Sequence, residues 1–242
     1  MSAAGPRCEL LSWDSAHFGF PIARLQARTL TETEAGAVDA WCENAGVHCL
    51  YFEASPDDHR TAALASERGY QVVDVRLVFE RAVSEPGELP GPVVELRPAR
   101  AEDVPALEEI ARTSFGLTRF FFDQRFARER VAEMYAIWVR RSVEGWADAV
   151  LVSGPTGEPA GMITCHVESG GGRIGLIGTD ARARGRGLGR GLMRGALDWF
   201  RQSGSSRVTV ATQARNADAQ RLYQRCGFVT GKVSVFYHKW YQ

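Results

Sequence analysis

The sequence predicts an α/β fold with a mixed (α+β) sheet, built in two parts. Three observations lead there. Short runs rich in Val, Ile and Leu alternate with amphipathic helical patterns along most of the chain. The stretch Ser84 to Pro92 carries three prolines and two glycines, so it holds neither a helix nor a central strand. It reads as a linker (84–92) between a smaller α/β domain (1–83) and a larger domain (93–242). In the larger domain a strand-like run passes through a Gly-rich loop straight into a helical pattern, an arrangement suited to phosphates.

Composition bounds the function. The 242 residues are 45% hydrophobic, enough for one large core or two small ones. Lys+Arg and Asp+Glu both number 29, so bulk attraction to nucleic acid or to an anionic membrane is not expected. No apolar run is long enough for a membrane span. The N-terminus has no apolar signal-peptide core, which gives a cytoplasmic expectation. Cys8, Cys42, Cys49, Cys165 and Cys226 are scattered and form no C-x-x-C pair. They read as reduced thiols, Cys165 as a core residue, and no metal site is expected.

In the first part, Ile22–Leu25 is strand-like. Thr33 to Ala45 is helix-like, Cys49 to Glu53 is a short apolar run, Pro56 to Arg68 is a second helix and Gln71 to Glu80 is a Val-rich strand. This order predicts β-α-β-α-β. Trp13, His17, Phe18 and Phe20 read as core.

In the second part, Val93 to Arg97 is strand-like. Ala101 to Thr113 places Val104, Leu107, Ile110 and Ala111 on one helical stripe, and Ala127 to Val143 turns Val131, Met134, Tyr135, Trp138 and Val139 inward. Ala149 to Ser153 and Pro159 to Val167 form a hairpin around Pro155 and Gly157. The run Ile174, Leu176, Ile177 leads into the loop, and Leu188, Leu192, Met193, Ala196, Leu197 and Phe200 mark the following helix. The strand Val208 to Thr212, a helix starting at Asn216 and a last strand from Phe228 complete the order.

The loop reads Arg184-Gly185-Arg186-Gly187-Leu188-Gly189. Its backbone N–H groups converge, the helix N-terminus adds partial positive charge, and glycine permits close approach and positive φ. No Gly-Lys-Ser/Thr closes it, so it is not a P-loop. Its glycine spacing and the missing acidic partner also fail the dinucleotide fingerprint.

Downstream stands Asn216-x-x-Ala219-x-x-x-Tyr223-x-x-x-Gly227-Phe228. Asn216 is suited to an N-cap and Gly227 to a C′ stop. Arg184-x-x-Gly187-x-Gly189 followed by this second motif resembles the GNAT N-acetyltransferases. The resemblance covers residues 93–242 and implies a strand, two helices, three strands, then helix, strand, helix, strand. It implies acetyl-CoA as co-substrate and no metal. It places Ile177, Gly178, Thr179, Arg184, Gly185, Arg186, Gly187, Leu188, Gly189, Asn216, Ala219 and Tyr223 at the cofactor. It also implies direct transfer to a small-molecule amine, with Tyr223 protonating the leaving thiolate, and the family makes a homodimer an expectation.

Three stretches are similar to the dTDP-fucosamine (dTDP-4-amino-4,6-dideoxygalactose) acetyltransferase family: Leu10 to Leu25, Ser114 to Asp123 continuing through Val139, and Arg207 to Asn216. This implies a nucleotide-linked amino sugar as acceptor. The alternative is another small-molecule amine of a natural-product pathway, or a longer acyl donor. Arg119, Phe121, Phe122 and Asp123 are the acceptor-binding candidates. Aromatic faces stack on rings and arginines grip diphosphates; the other reading of the Phe run is a buried plug. An ammonium must lose a proton before it attacks. His166 is the candidate base, beside Asp123, Glu168 or a chain of water.

Overall fold

The computed structural model describes residues 6–83, 92–168 and 171–241. In chain order the strands are β1 (Cys8–Leu10), β2 (Ile22–Leu25), β3 (Cys49–Ala54), β4 (Gln71–Ala82), β5 (Arg97–Pro98), β6 (Ala149–Ser153), β7 (Gly161–Glu168), β8 (Gly171–Thr179), β9 (Arg207–Gln213) and β10 (Val229–Trp240). The helices are α1 (Ser12–Phe18), α2 (Glu32–Asn44), α3 (His59–Glu67), α4 (Val104–Ser114), α5 (Arg119–Phe122), α6 (Arg128–Arg141), α7 (Leu188–Gln202) and α8 (Ala217–Arg225). The α/β class stands.

Packing groups the chain differently from a cut at the Pro/Gly stretch, whose residues 84–91 lie outside the described residues. One unit gathers residues 1–76, 118–130 and 233–242; the other gathers 77–117 and 131–232. The long strands β4 and β10 thus lend residues to both.

In the first unit the strand order is β1-β2-β3-β10. β2 and β3 follow the predicted β-α-β order and run parallel, with α2 as the crossover. The end of β10 pairs antiparallel with β3, from Val235↔Ala54 to Trp240↔Cys49. This long-range pairing is why the C-terminus joins the first unit. Thr31 and Glu34 form a reciprocal capping box at the start of α2. Strand alternation then sorts two faces. Leu50, Phe52, Ala54 and Tyr237 join Val38, Cys42, Leu64 and Ala65 in an apolar core. On the other face, Tyr51, His238 and Trp240 meet Phe20 and Phe126 in ring contacts.

In the second unit the order is β10-β4-β9-β8-β7-β6-β5. Its core joins Phe79, Ile163, Cys165, Ile174, Leu192, Met193, Phe200, Val208, Val210 and Phe228. The expected strand Val93–Arg97 is reduced to the pair Arg97–Pro98 on β6. The preceding residues run along α7 instead. A Cβ on Gly187 would lie 2.8 Å from the Pro92 ring, and Cβ atoms on Gly191 and Gly195 would collide with Val94 and Leu96. Three glycines one turn apart open a groove that takes an extended strap, so packing on the helix overrides pairing in the sheet.

Asp103 anchors the start of α4. It is fully buried and receives both arms of Arg97 (2.7 and 2.9 Å), Arg100 N–H (2.8 Å) and Gly157 N–H (2.8 Å). The Arg97 guanidinium, aided by the two N–H groups and opposed by desolvation, holds its carboxyl well below the usual range. Asp103→Asn leaves Arg97 without its counter-charge, and urea denaturation at pH 7 should show a loss of about 3 kcal/mol. Because the folded carboxyl is depressed, its contribution is complete above the unfolded value of about 3.9 and fades as the pH falls below it. The gap between wild type and variant should therefore narrow under acid.

Candidate active site

The site starts from a break in pairing. β8 runs parallel to β9 through Gly172↔Val208, Arg173↔Thr209 and Ile174↔Val210. There the pairing stops, yet β8 continues to Thr179 and β9 to Gln213. The cause is visible on the other side of β8. Between Ile163↔Ile177 and Cys165↔Ile174 the register with β7 slips, so β8 carries an extra residue and bulges. The bulge is held by Thr164, fully buried, whose Oγ1 accepts Leu176 N–H at 2.8 Å. Gly175 is required here, since a Cβ would lie 2.8 Å from that oxygen and 2.6 Å from His166 Nε2.

The bulge decides where the next N–H groups point. Leu176 N–H donates to Thr164 and Asp180 N–H donates to Ala160 C=O at 2.9 Å, both toward β7. Alternation turns the N–H groups of Ile177 and Thr179 to the opposite edge, the one β9 has left. Two parallel donors on an open strand edge suit an amide-bearing chain or a carbonyl oxygen.

The loop follows. Asp180 accepts Arg182 N–H at 2.8 Å and pairs with its guanidinium, opening a short 3-10 turn over Ala181–Ala183. Gly185 and Gly187 have φ of 76° and 80°. Gly187 is the N-cap of α7, and no side chain caps the helix. Arg190 and Gly191 N–H both return to Gly187 C=O, which leaves the N–H groups of Leu188 and Gly189 facing outward at the positive end of the dipole. Arg184 and Arg186 are exposed beside them. Two outward N–H groups at a helix start, with two arginines beside them, suit a diphosphate.

α8 borders the open end of β9. Asn216 caps it, its Oδ1 accepting Ala219 N–H at 3.1 Å, and Gly227 ends it with φ of 79°. Tyr223 is 3% exposed and meets Phe79 and Phe228 in ring contacts. Burial, with Cys226 nearby, raises its phenol and keeps the proton on. The elements β8, loop, α7, β9 and α8 thus bring together the residues predicted for the cofactor. Acetyl-CoA supplies an activated thioester, a diphosphate and an amide-bearing arm, and the uncapped helix start and the open β8 edge fit those groups.

The model of the Acetyltransferase (GNAT) family matches residues 106–228, just over half of the chain. The chain belongs to the GNAT family. It is an acyl-CoA-dependent N-acetyltransferase. A GCN5-related N-acetyltransferase from Sphaerobacter thermophilus has the same fold, with a TM-score of 0.67 at 19% identity over 96% of this chain and 76% of that one. The chain is 28% identical to a dTDP-fucosamine acetyltransferase of Escherichia coli O6:H1 over 90% of its own length and 92% of the relative's. It is 29% identical to a mycothiol acetyltransferase of Salinispora arenicola over 90% of its length and 68% of that protein. A Bacillus subtilis spore coat polysaccharide biosynthesis protein is 28% identical over 62% of the chain, which spans only about half, 52%, of that relative.

His166, in the GNAT unit, lies on β7 opposite Arg173, in the half of β8 still paired with β9. Its ring abuts Gly175 and meets Trp146 edge-on at 5.9 Å. Burial first, then Arg173, lowers its pKa below the usual 6.5, so it is neutral at pH 7. Glu168 pairs with Arg173 at 2.5 Å. Burial pushes the Cys165 thiol up to about 12, as befits a core residue. Among the described residues no helix is long and apolar enough to cross a membrane.

The acceptor candidates lie in the first unit. Arg119–Phe122 form the short helix α5. Phe120 is buried as a plug, Phe121 is half-buried and Phe122 is 54% exposed, so the run both plugs and projects. Arg119 is half-buried with its Cζ 4.5 to 4.9 Å from the rings of Tyr51, Phe120 and Phe236. Asp123 faces inward. Its Oδ2 receives His238 Nδ1 (2.7 Å) and Trp240 Nε1–H (2.9 Å), and its Oδ1 receives Arg125 N–H (3.2 Å). Sequence reasoning did not find His238, Trp240 or Tyr51. The signal was the alternation Phe236, His238, Trp240 in a strand otherwise marked by its apolar residues.

Gly187→Ala forces a Cβ into a positive φ and onto Pro92. Titration calorimetry should show acetyl-CoA affinity falling about tenfold, of order 1.4 kcal/mol, while Gly36→Ala, in open space on α2, should leave it unchanged.

Proposed function

We propose that this GNAT enzyme acetylates the amine of a nucleotide-linked amino sugar such as a dTDP-4-amino-4,6-dideoxyhexose. The observation that carries the reading is the likeness to a dTDP-fucosamine acetyltransferase over nine-tenths of both chains, which includes the first unit as well as the transferase core. Exposed Phe122, half-buried Phe121 with Arg128 5.7 Å from its ring, and the guanidinium of Arg119 offer the stacking faces and positive charge that a base and a diphosphate call for.

The chain's own groups divide the chemistry. Arg184, Gly185, Arg186, Gly187, Leu188 and Gly189 hold the diphosphate. Asn216 and Ala219 border the arm, and the open edge at Ile177, Gly178 and Thr179 orients it. Ile177 and Thr179 N–H polarise the carbonyl, which typically contributes about 3 kcal/mol per donor. Tyr223 keeps its proton until a thiolate forms beside it. A desolvated phenol is a poor free acid but shares its proton readily where the competing charge is equally desolvated. His166, neutral at working pH, accepts a proton from the amine.

Thiol release from acetyl-CoA, with dTDP-4-amino-4,6-dideoxygalactose and its glucose epimer as acceptors, tests the reading. Release with an acetyl mass gain on one sugar is the expected result. Release only with other amines, or only with a longer acyl-CoA, replaces the acceptor or the donor. The likeness to mycothiol acetyltransferases makes the acceptor of such an enzyme one such alternative.

Tyr223→Phe should retain acetyl-CoA binding and lose about 100-fold in kcat; normal turnover would remove Tyr223 from the mechanism. If His166 is the base, kcat/KM climbs with pH through a value below 6.5, where the lowered imidazole loses its proton. His166→Asn should abolish that limb, and an unchanged limb would assign the proton to water.

A further inference from the structure

Four of the polar groups buried without a hydrogen-bond partner in the first unit share one neighbourhood. Tyr51 Oη, Thr118 Oγ1, Arg119 Nε and His238 Nε2 are all buried and unpartnered. Tyr51 and His238 stand directly opposite each other on β3 and β10, their rings stacked at 4.8 Å. The Arg119 guanidinium carbon is 4.9 Å from the Tyr51 ring, and Thr118 precedes Arg119 in the chain. Buried polar groups are normally satisfied, so four together call for an occupant.

The dyad with Asp123 fixes what His238 offers. The Asp123 carboxylate already receives Trp240 Nε1–H and can only accept, so His238 Nδ1 carries the hydrogen and donates it. Nε2 is left a bare acceptor. Burial lowers its pKa to about 4, Arg119 and Arg125 acting with burial and Asp123 against it, so the ring is neutral across the working range. The cluster therefore presents one fixed acceptor (His238), one fixed donor (Arg119 Nε–H) and two hydroxyls that serve as either (Tyr51, Thr118). Its walls are aromatic, with the Phe120 ring 5.9 Å from Tyr51 and 6.3 Å from His238.

We propose that this cluster is a recognition site for the hydroxylated ring of the acceptor, with a ring hydroxyl donating to His238 Nε2 and Arg119 Nε–H and the Tyr51 hydroxyl completing its hydrogen bonds. A neutral acceptor beside a fixed donor matches a hydroxyl, which does both. Aromatic walls match the C–H face of such a ring. This assignment rests on the amino-sugar reading above and goes further by naming His238 and Tyr51 as specificity residues. Asp123 is then a positioning residue that sets the tautomer of His238.

Tyr51→Phe and Thr118→Val remove one hydroxyl each and keep the shape. In an empty cluster, deleting an unpartnered hydroxyl leaves the melting temperature unchanged or raises it. The expected result in the full-length enzyme is that outcome for the free protein, unchanged acetyl-CoA affinity, and a KM for the amino sugar raised about tenfold with kcat within a factor of two. An unmoved KM overturns the proposal. If the melting temperature also falls, the cluster holds structural water. Failure of the amino-sugar reading shows separately, as absent thiol release by the wild-type enzyme. The same KM comparison is then made with whichever amine the enzyme does acetylate, and an unmoved value overturns the site equally.

Discussion

The parting of β8 from β9 after Ile174 is the constraint on which the transferase site depends. It is a consequence of one surplus residue. β8 cannot keep register with β7 on one side and β9 on the other once the extra residue enters, and pairing with β7 prevails. Thr164 makes that choice inexpensive, since its hydroxyl receives the N–H that the slipped ladder would orphan. What β9 gives up leaves two strand donors, at Ile177 and Thr179, on an open edge. An ordinary sheet has no such donors away from its rim.

The glycines around this opening serve separate ends. Gly175 leaves room for Thr164 and His166, and Gly172 admits the Phe200 ring. Gly185 and Gly187 supply backbone turns that side chains resist. Gly187, Gly191 and Gly195 together make the groove that holds Pro92, Val94 and Leu96. Gly187 therefore belongs to both the loop proposed for the diphosphate and the groove of the strap, which ties the loop's geometry to the packing of the chain before β5. A loop composed for phosphate contact alone would not need glycine one and two turns further along the helix.

Most of the transferase unit was legible because its signals are local. Asn216, Gly227 and the stripe Leu192, Met193, Ala196, Leu197 and Phe200 mark caps and faces within a few residues, and the structure places each accordingly. Arg184 through Gly189 was legible as a loop running into a helix start for the same reason. What the residues alone did not reveal is non-local. Val93–Arg97 has strand composition, but its partner turned out to be a helix groove. The division of the chain into packed units followed the pairing of β10 with β3, across nearly the whole sequence. Asp123, an acceptor-binding candidate from the sequence, finds its partners, His238 and Trp240, more than a hundred positions away. Nothing in the residues around Asp123 announces them.

Tyr223 and His238 show how one physical cause yields two different tools. Both rings are buried, and in both the loss of water is the largest influence on the proton. Desolvation disfavours charge, so it keeps the proton on a phenol and takes it off an imidazole. The result is a phenol that keeps its proton in the transferase unit and a neutral imidazole in the first unit. Neither needs a counter-ion, and neither changes state over the pH range in which an enzyme works. Asp123 does carry charge, and it has three partners: an imidazole N–H, an indole N–H and a backbone N–H. Its neighbour His238 is left with one nitrogen fixed and one bare. A fold that satisfies its buried carboxylate so completely and leaves the adjoining imidazole, phenol and guanidinium nitrogen open has reserved those groups for something that arrives from outside.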